Sequence, residues 1–220
     1  KLRMLLFNEI EKIEVALRST VANMVAEETG NIFWMTDGSL FANEDKFRKT
    51  MALVDKELKS SKEDFIKHFK NKYSNDYPPA WMLVEILPLG IVTRIYDNLA
   101  DNALRKKIAA RFLLPVPVFS SWITIITLVR NTCCHHSRVW NKENAITPML
   151  LKKTPYRWIS KQISPNRTFY DVCILKWFID IISPENDMKG HLKNLLSDFP
   201  HVDIAAMGFP KNWEEEPLWK

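Results

Sequence analysis

The amino-acid sequence predicts an all-α fold, and two of its features support that prediction. Apolar residues recur at helical spacing along most of the chain, beginning with a stripe that runs from Leu2 to Met24. Glycine is scarce, with five residues in 220, and there are few alternations of Val and Thr with polar residues, which argues against a β-sheet protein. Hydrophobic residues make up 46% of the chain, without repeats or low-complexity tracts, so we expect one globular domain over residues 1–220.

The predicted helices begin at the first residues. The longest stripe should form an amphipathic helix that ends at Gly30, and it comprises Leu2, Leu6, Ile10, Ile13, Leu17, Val21 and Met24. A second helix is predicted over 44–59. Ser61 followed by Asp64 three residues later resembles a capping box, which predicts a short helix over 61–73.

The middle of the chain predicts three further helices. The segment PPAWMLVEILPLGIVTRIYDNL should form a helix that is interrupted at Pro88 and Gly90. A helix over 101–114 carries basic residues that form either a phosphate-contacting surface or an ordinary solvated face, namely Arg105, Lys106, Lys107 and Arg111. A proline turn at 115–117 then leads into a helix over 119–140.

The last third of the sequence predicts a long loop and two final helices. The loop covers residues 141–167 and contains Pro148, Pro155 and Pro165. The helices are predicted over 169–182 and 185–199. The tail MGFPKNWEEEPLWK should be irregular but held in place by its tryptophans.

Composition limits the classes of partner and compartment. The chain carries 31 basic and 26 acidic residues, a net charge of +5, which permits a polyanionic partner such as nucleic acid without requiring one. Three cysteines, two of them adjacent, suit a reducing compartment. Because we find neither a signal peptide nor a membrane span, we expect a cytoplasmic protein. Lys1 lies within a helical pattern, so we also expect that an N-terminal segment is missing.

Candidate functional residues concentrate in the stretch LVRNTCCHHSRVWNKE, residues 128–143. On the helix predicted over 119–140, one stripe should face the core, and it consists of Trp122, Ile126, Val129, Cys133, His136 and Trp140. A more polar face carries Asn131, His135 and Arg138, and a third ridge carries Arg130, Cys134, Ser137 and Asn141. We therefore expect His136 to pack inside and His135 to face a polar surface or cleft.

Three kinds of chemistry use these residue types. A zinc site needs four converging ligands, whereas Cys133 to His136 are consecutive and point in different directions around a helix. A cysteine–histidine nucleophile pair is also possible, although no third residue that would orient it is evident. In metal-independent RNA cleavage, a histidine moves protons, an arginine stabilises the charge on the phosphate, and a neighbouring asparagine orients the histidine or hydrogen-bonds the phosphate.

The order of residues Arg130 to His135 matches an R-N-x-x-x-H motif found in HEPN (higher eukaryote and prokaryote nucleotide-binding) ribonucleases. The longer string RNTCCHHSRVWN resembles the signature of the Abi-like family, the AbiD/AbiF-type bacterial abortive infection proteins. Three further segments resemble landmarks of that family in the expected order, namely IEKIEVALRS, PPAWMLVEILPLGIVTRIYDNL and MGFPKNWEEEPLW. The resemblance thus extends over nearly the whole chain.

This resemblance implies an HEPN-type helical bundle with additional helices and a catalytic set of Arg130, Asn131 and His135. His135 would exchange a proton with the ribose 2′-hydroxyl or the leaving 5′-oxygen, while Arg130 would stabilise the phosphate charge. The products would be a 2′,3′-cyclic phosphate and a 5′-hydroxyl, with neither metal nor cofactor required. The same signature makes His136, Arg138 and Asn141 candidates for supporting or RNA-binding roles.

Further residues and a second copy of the chain follow from the same comparison. Arg130 and His135 are five positions apart, about 140° around an ideal helix, and HEPN domains commonly pair, so we expect a homodimer. Arg18 and Glu14 belong to one landmark, where we favour an ion pair that ties the first helix to its neighbour. Glu85 lies in an apolar run and should need a buried partner, either Arg18 or Arg130.

The predicted function is that of an endoribonuclease in bacterial defence against phage. Because such an activity is toxic, its expected partners are the RNA substrate and a non-coding RNA or protein inhibitor. An alternative is a non-catalytic RNA-binding or scaffolding module under the same kind of regulation. A nucleotidyl- or AMP-transferring toxin component is a weaker alternative, since the chain has no Gly-rich phosphate loop and no paired carboxylates for magnesium.

Overall fold

The computed structural model describes residues 1–152 and 156–220, and Pro155 of the predicted loop lies outside them. The described residues form α-helices and short 3-10 helices with two isolated β-bridges and no strand, so the all-α prediction is confirmed. The α-helices are α1 (Leu2–Thr29), α2 (Glu44–Ser60), α3 (Asp64–Lys72), α4 (Ala80–Ile86), α5 (Leu89–Asp97), α6 (Asn102–Ala110), α7 (Val116–Cys134), α8 (Thr168–Ile182) and α9 (Met188–Asp198).

The described residues divide into two compact units. The first unit contains Lys1–Glu14 and Phe112–Lys220, and the second contains Val15–Arg111. Helix α1 therefore contributes its first half to one unit and its second half to the other. That residues 1–220 form a single domain stays a prediction.

In the second unit, α2 packs against α4 and α5 through one buried face, formed by Thr50, Val54 and Leu58. The predicted interruption at Pro88 is confirmed, because α4 ends at Ile86 and α5 begins directly after the proline. Gly90 lies inside α5 and does not contribute to the break. The Arg18 guanidinium donates hydrogen bonds to the carbonyls of Val84 and Leu87, which occupies acceptors that the end of α4 leaves unpaired.

Several predicted helix ends are wrong. Ser61 is the C-cap of α2, and α3 begins after Glu63 without a side-chain cap, so the predicted capping box does not form. Helix α6 ends at Ala110, four residues early, although Asp101 caps its start by accepting from two backbone amides. Helix α7 begins at Val116, because a proline in the first helical turn loses no hydrogen bond there.

The core of the first unit lies around α7 and α8. Helix α8 is buried on nearly all sides, which fits its continuous apolar sequence. Aromatic rings fill the space beside it in two groups, Phe112, Phe119 and Phe178, and Trp122, Trp158 and Trp177. The tail packs Trp213 and Trp219 against Phe169, so the predicted anchoring by tryptophans is confirmed. Among the described residues, no helix combines the length and the apolar character that crossing a membrane requires.

Candidate functional site

Helix α7 ends at Cys134, six residues before the predicted end at 140. The amide of His136 donates to the Cys133 carbonyl at 3.2 Å, and the amide of Ser137 donates to the Thr132 carbonyl at 3.0 Å. These two bonds, with His136 in the left-handed region at φ 55°, form a Schellman motif. Glycine usually takes the left-handed position of this motif. Its absence is the reason that the sequence did not predict the end of the helix.

This early end separates the predicted buried stripe into two parts. Trp122, Ile126, Val129 and Cys133 are buried as predicted. The prediction is wrong for His136, which lies in the turn, and for Trp140, which follows it, because both are exposed. Once the chain has left the helix, a spacing of three or four residues no longer returns to the same face.

Arg130 is held in place by Glu14, an acidic residue of the first helix. Its Nε lies 3.3 Å from Oε2 of Glu14 on α1, and its Nη1 donates to Oδ1 of Asn131 at 3.4 Å. The Glu14 side chain is 14% exposed and that of Arg130 is 29% exposed, so the pair is shielded from much of the solvent. The expectation that Glu14 ties the first helix to a neighbour is met by Arg130 on α7.

Asn131 and His135 lie at the exposed end of α7. His135 is the C-cap, and its amide donates to the Asn131 carbonyl at 3.0 Å, so it still follows the helical path. The side chains of Arg130 and His135 therefore leave α7 about 140° apart. The structure makes His135 accessible and fixes Arg130, but α7 alone does not bring the two together.

Cys133 does not have the properties of a nucleophile. Burial, reinforced by the neighbouring Cys134, raises the pKa of its thiol to about 11, although Arg3 acts in the opposite direction. A thiol with that pKa is almost entirely protonated at neutral pH, and the thiolate is the reactive form. Across the described ranges, no three His, Cys, Asp or Glu side chains are grouped closely enough to hold a metal ion.

The loop that follows the motif is tied to α8 through Asp171, a residue that the sequence analysis missed. The Asn144 amide donates to both carboxylate oxygens of Asp171, at 2.9 and 2.7 Å. Burial raises the pKa of Asp171 from 3.8 to about 7, although Asn144 and the charge of Lys142 favour the ionised form. Nζ of Lys142 also lies 3.5 Å from Oγ1 of Thr132, beside the motif. The sequence feature that could have identified Asp171 is its position as the one carboxyl in the apolar run FYDVCILKWF.

The other predicted site residues occupy different surroundings. Arg138 is exposed, and Asn141 is partly buried with a left-handed backbone at φ 46°. The expectation for Glu85 is wrong, because its side chain is exposed and makes no ion pair or hydrogen bond with any described residue. Arg18 binds backbone carbonyls at the end of α4.

Two of the four basic residues predicted on 101–114 have partners within the chain. Arg105 lies 3.8 Å from Asp97 and over the ring of Tyr96, and Lys107 lies 2.6 Å from Glu28. These contacts favour an ordinary helix face over a phosphate-contacting surface. Lys106 and Arg111 are exposed.

Comparison with known proteins gives one positive finding. A family model described as Abi-like protein matches residues 1–141, which run from the start of α1 through the turn after α7. The match therefore covers more than half of the chain and includes Glu14, Arg130, Asn131 and His135. No curated protein and no solved structure matches the chain.

Proposed function

The chain belongs to the Abi-like family, whose name denotes abortive infection, and from this premise we propose that it is a metal-independent endoribonuclease of a bacterial defence system against phage. Its catalytic residues are Arg130, Asn131 and His135. Its substrate is RNA, and its toxicity is restrained by a non-coding RNA or a protein inhibitor.

The proposed reaction uses the 2′-hydroxyl of RNA as the nucleophile. The imidazole of His135 accepts the 2′-proton while the 2′-oxygen forms a bond to phosphorus. The bond from phosphorus to the 5′-oxygen breaks, and the leaving oxygen takes up a proton. The guanidinium of Arg130 stabilises the negative charge on the phosphate oxygens, and Asn131 hydrogen-bonds the phosphate or the histidine.

The observation that carries this proposal is the contact between Arg130 and Glu14. A long arginine side chain has many rotamers, and fixing it before the substrate arrives lowers the entropy lost in the transition state. The carboxylate binds at Nε, and Nη2 has no partner among the described residues, so it is available to a phosphate. His135 is exposed at the end of the same helix, where its imidazole is accessible to a substrate as a proton acceptor or donor.

A second copy of the chain completes the proposed site. Because Arg130 and His135 leave α7 in different directions, one chain presents each group to a different side. A symmetric homodimer would place Arg130 of one copy near His135 of the other, and it would also supply two histidines, one as base and one as acid.

The test is cleavage of single-stranded RNA in the presence of EDTA, with analysis of the product ends. We expect wild type to release 2′,3′-cyclic phosphate and 5′-hydroxyl ends, and His135→Ala and Arg130→Ala to lose at least about 100-fold in rate, the scale of general acid–base and electrostatic contributions. Matched controls are His68→Ala and Arg48→Ala, since both residues are exposed and lie outside the motif. We expect the controls to cleave as wild type does.

Two results would contradict the proposal. Cleavage that persists unchanged in His135→Ala would remove the catalytic assignment. Tight RNA binding by wild type without any cleavage, in the presence or absence of divalent cations, would favour the non-catalytic RNA-binding module instead.

A further inference from the structure

A groove opens beside the motif, within the first unit. It has a volume of about 490 Å³, which lies in the range of sites for small organic ligands. Its floor is apolar and comes from the end of α9 and the segment after it, including Leu196 and Met207. Residues 136–140, which follow the turn at the end of α7, form part of its wall. These wall residues therefore follow His135 directly in the sequence.

Positive charge borders this apolar floor. Arg3 and Arg138 line the groove, and neither makes an ion pair or hydrogen bond with a described residue. Lys1 also lines it, but its charge is shared with Asp198 at 3.9 Å. Two available guanidinium groups in the lining suit an anion with several oxygens, since the planar fork of arginine pairs with phosphate.

Two aromatic side chains contribute exposed rings to the same groove. Trp140 is 39% exposed and makes no hydrogen bond or ring contact with any described residue. Phe199 is 41% exposed, and the ammonium of Lys1 lies 5.0 Å from the centroid of its ring. By contrast, Trp122, Trp177 and Trp213 are buried in ring contacts. An indole left available in this way is a typical surface for base stacking.

The backbone around Trp140 is held in an uncommon conformation. His136 at φ 55° and Asn141 at φ 46° bracket the segment that carries Arg138 and Trp140. Left-handed backbone costs free energy at residues other than glycine, although less at asparagine than at most, so the surrounding structure holds both residues in place. Here the two left-handed residues place a cation and an indole in one groove.

We propose that this groove is a nucleotide-binding subsite, in which a base of single-stranded RNA stacks on Trp140 while Arg3 and Arg138 bind its phosphate. This inference rests on the proposed function, because it assigns the groove to the nucleotide next to the bond that is cleaved. An apolar peptide would use the floor but not the two arginines. The unpartnered cations therefore favour the nucleotide.

The test measures binding and not cleavage, so it is independent of catalysis. The 220-residue chain with His135→Ala is titrated with each of the four ribonucleoside 5′-monophosphates, with ribose 5-phosphate and with the corresponding nucleosides. We expect Trp140→Ala to weaken nucleotide binding at least about fivefold, the lower end of the effect of removing a stacking partner. Trp140→Phe should retain most of the affinity. Trp81→Ala removes a similarly exposed tryptophan from α4, and this variant should bind as its parent does.

The ligand series separates the contributions of base and phosphate. Ribose 5-phosphate should bind several-fold more weakly than the best nucleotide, and the nucleosides should lose affinity through the missing phosphate. Arg138→Ala should weaken nucleotide binding while leaving nucleoside binding unchanged. Melting temperatures that match those of the parent show that each variant is folded.

Three results would overturn the inference. The first is nucleotide binding that Trp140→Ala leaves unchanged. The second is equal affinity for nucleotides and for ribose 5-phosphate. The third is equal affinity for nucleosides and nucleotides, a result expected if the groove binds a purely apolar ligand. These results differ from failure of the proposed function. If nucleotides bind with the expected dependence on Trp140 and Arg138 while wild type does not cleave RNA, the groove is a nucleotide site and the ribonuclease proposal fails.

Discussion

Replacing Asp171 with asparagine tests how the loop behind the motif is held. Asp171 is 4% exposed in α8, and both its carboxylate oxygens accept from the amide of Asn144 in that loop. Burial raises the pKa of this carboxyl from 3.8 to about 7. Asp171→Asn keeps the size and the capacity to hydrogen-bond Asn144, and it removes the charge.

The direction of the effect follows from the protons bound in each state. Between about pH 4 and pH 7 the unfolded chain has released the proton of Asp171, whereas the folded chain retains it. Raising the pH through this window therefore favours the unfolded state. The stability that the protonated Asp171 contributes is fully present below pH 3.8 and is lost as the pH rises through about 7. From about pH 5 to about pH 8 the loss is about 2 to 3 kcal/mol.

The assay is urea unfolding of wild type and Asp171→Asn near those two pH values. The difference in unfolding free energy between the two proteins should shift by about 2 to 3 kcal/mol in favour of the variant at the higher pH. Asp76→Asn changes an exposed carboxyl and should show no such shift. Because the other titratable groups are the same in both proteins, their contributions cancel in the difference in unfolding free energy.

Equal pH dependence in wild type and Asp171→Asn would refute this reasoning. It would mean that Asp171 ionises in the folded protein much as it does in the unfolded chain. A variant that is less stable than wild type by a constant amount at both pH values would show that hydrogen-bond geometry outweighs the charge.

Two further predictions concern the motif itself. Glu14→Gln should lower the kcat of RNA cleavage about tenfold with little change in KM, because Arg130 is then positioned by a neutral partner. The control is Glu11→Gln, which changes an exposed residue of the same helix. Equal kcat in both variants would contradict a positioning role for Glu14. His136→Gly should raise the unfolding free energy by about 0.5 to 1 kcal/mol, because glycine relieves the left-handed strain. Urea unfolding checks this, with His68→Gly in the middle of α3 expected to lose about 0.3 to 0.5 kcal/mol, since glycine is a weaker helix former than histidine.

The sequence predicts much of the helical framework because apolar periodicity and proline are strong local signals. The stripe from Leu2 to Met24 and the break at Pro88 are examples in which local preference and tertiary packing agree. The failed capping box at Ser61 is different. A motif of two residues is frequent by chance, and the start of α3 depends on packing that no local pattern contains.

The candidate site was partly predictable for the same reason. Periodicity placed His135 on a polar surface, and the structure exposes it at the end of α7. The partner of Arg130 is a residue 116 positions away in sequence, and nothing local to either residue could specify that contact. Asp171 was open to recognition as a carboxyl in an apolar run, but its link to Asn144 depends on the path of an irregular loop.

The wrong prediction for His136 and Trp140 comes from the turn that ends α7. Had the helix continued to 140, both side chains would have joined the buried stripe, and the wall of the groove would have been part of the core. The Schellman turn instead moves them to the surface, at the cost of a left-handed histidine. The same turn leaves His135 as the last residue on the helical path. One local irregularity therefore separates His135, proposed for proton transfer, from Trp140, proposed to stack on the base, although the two residues are only five positions apart in the sequence.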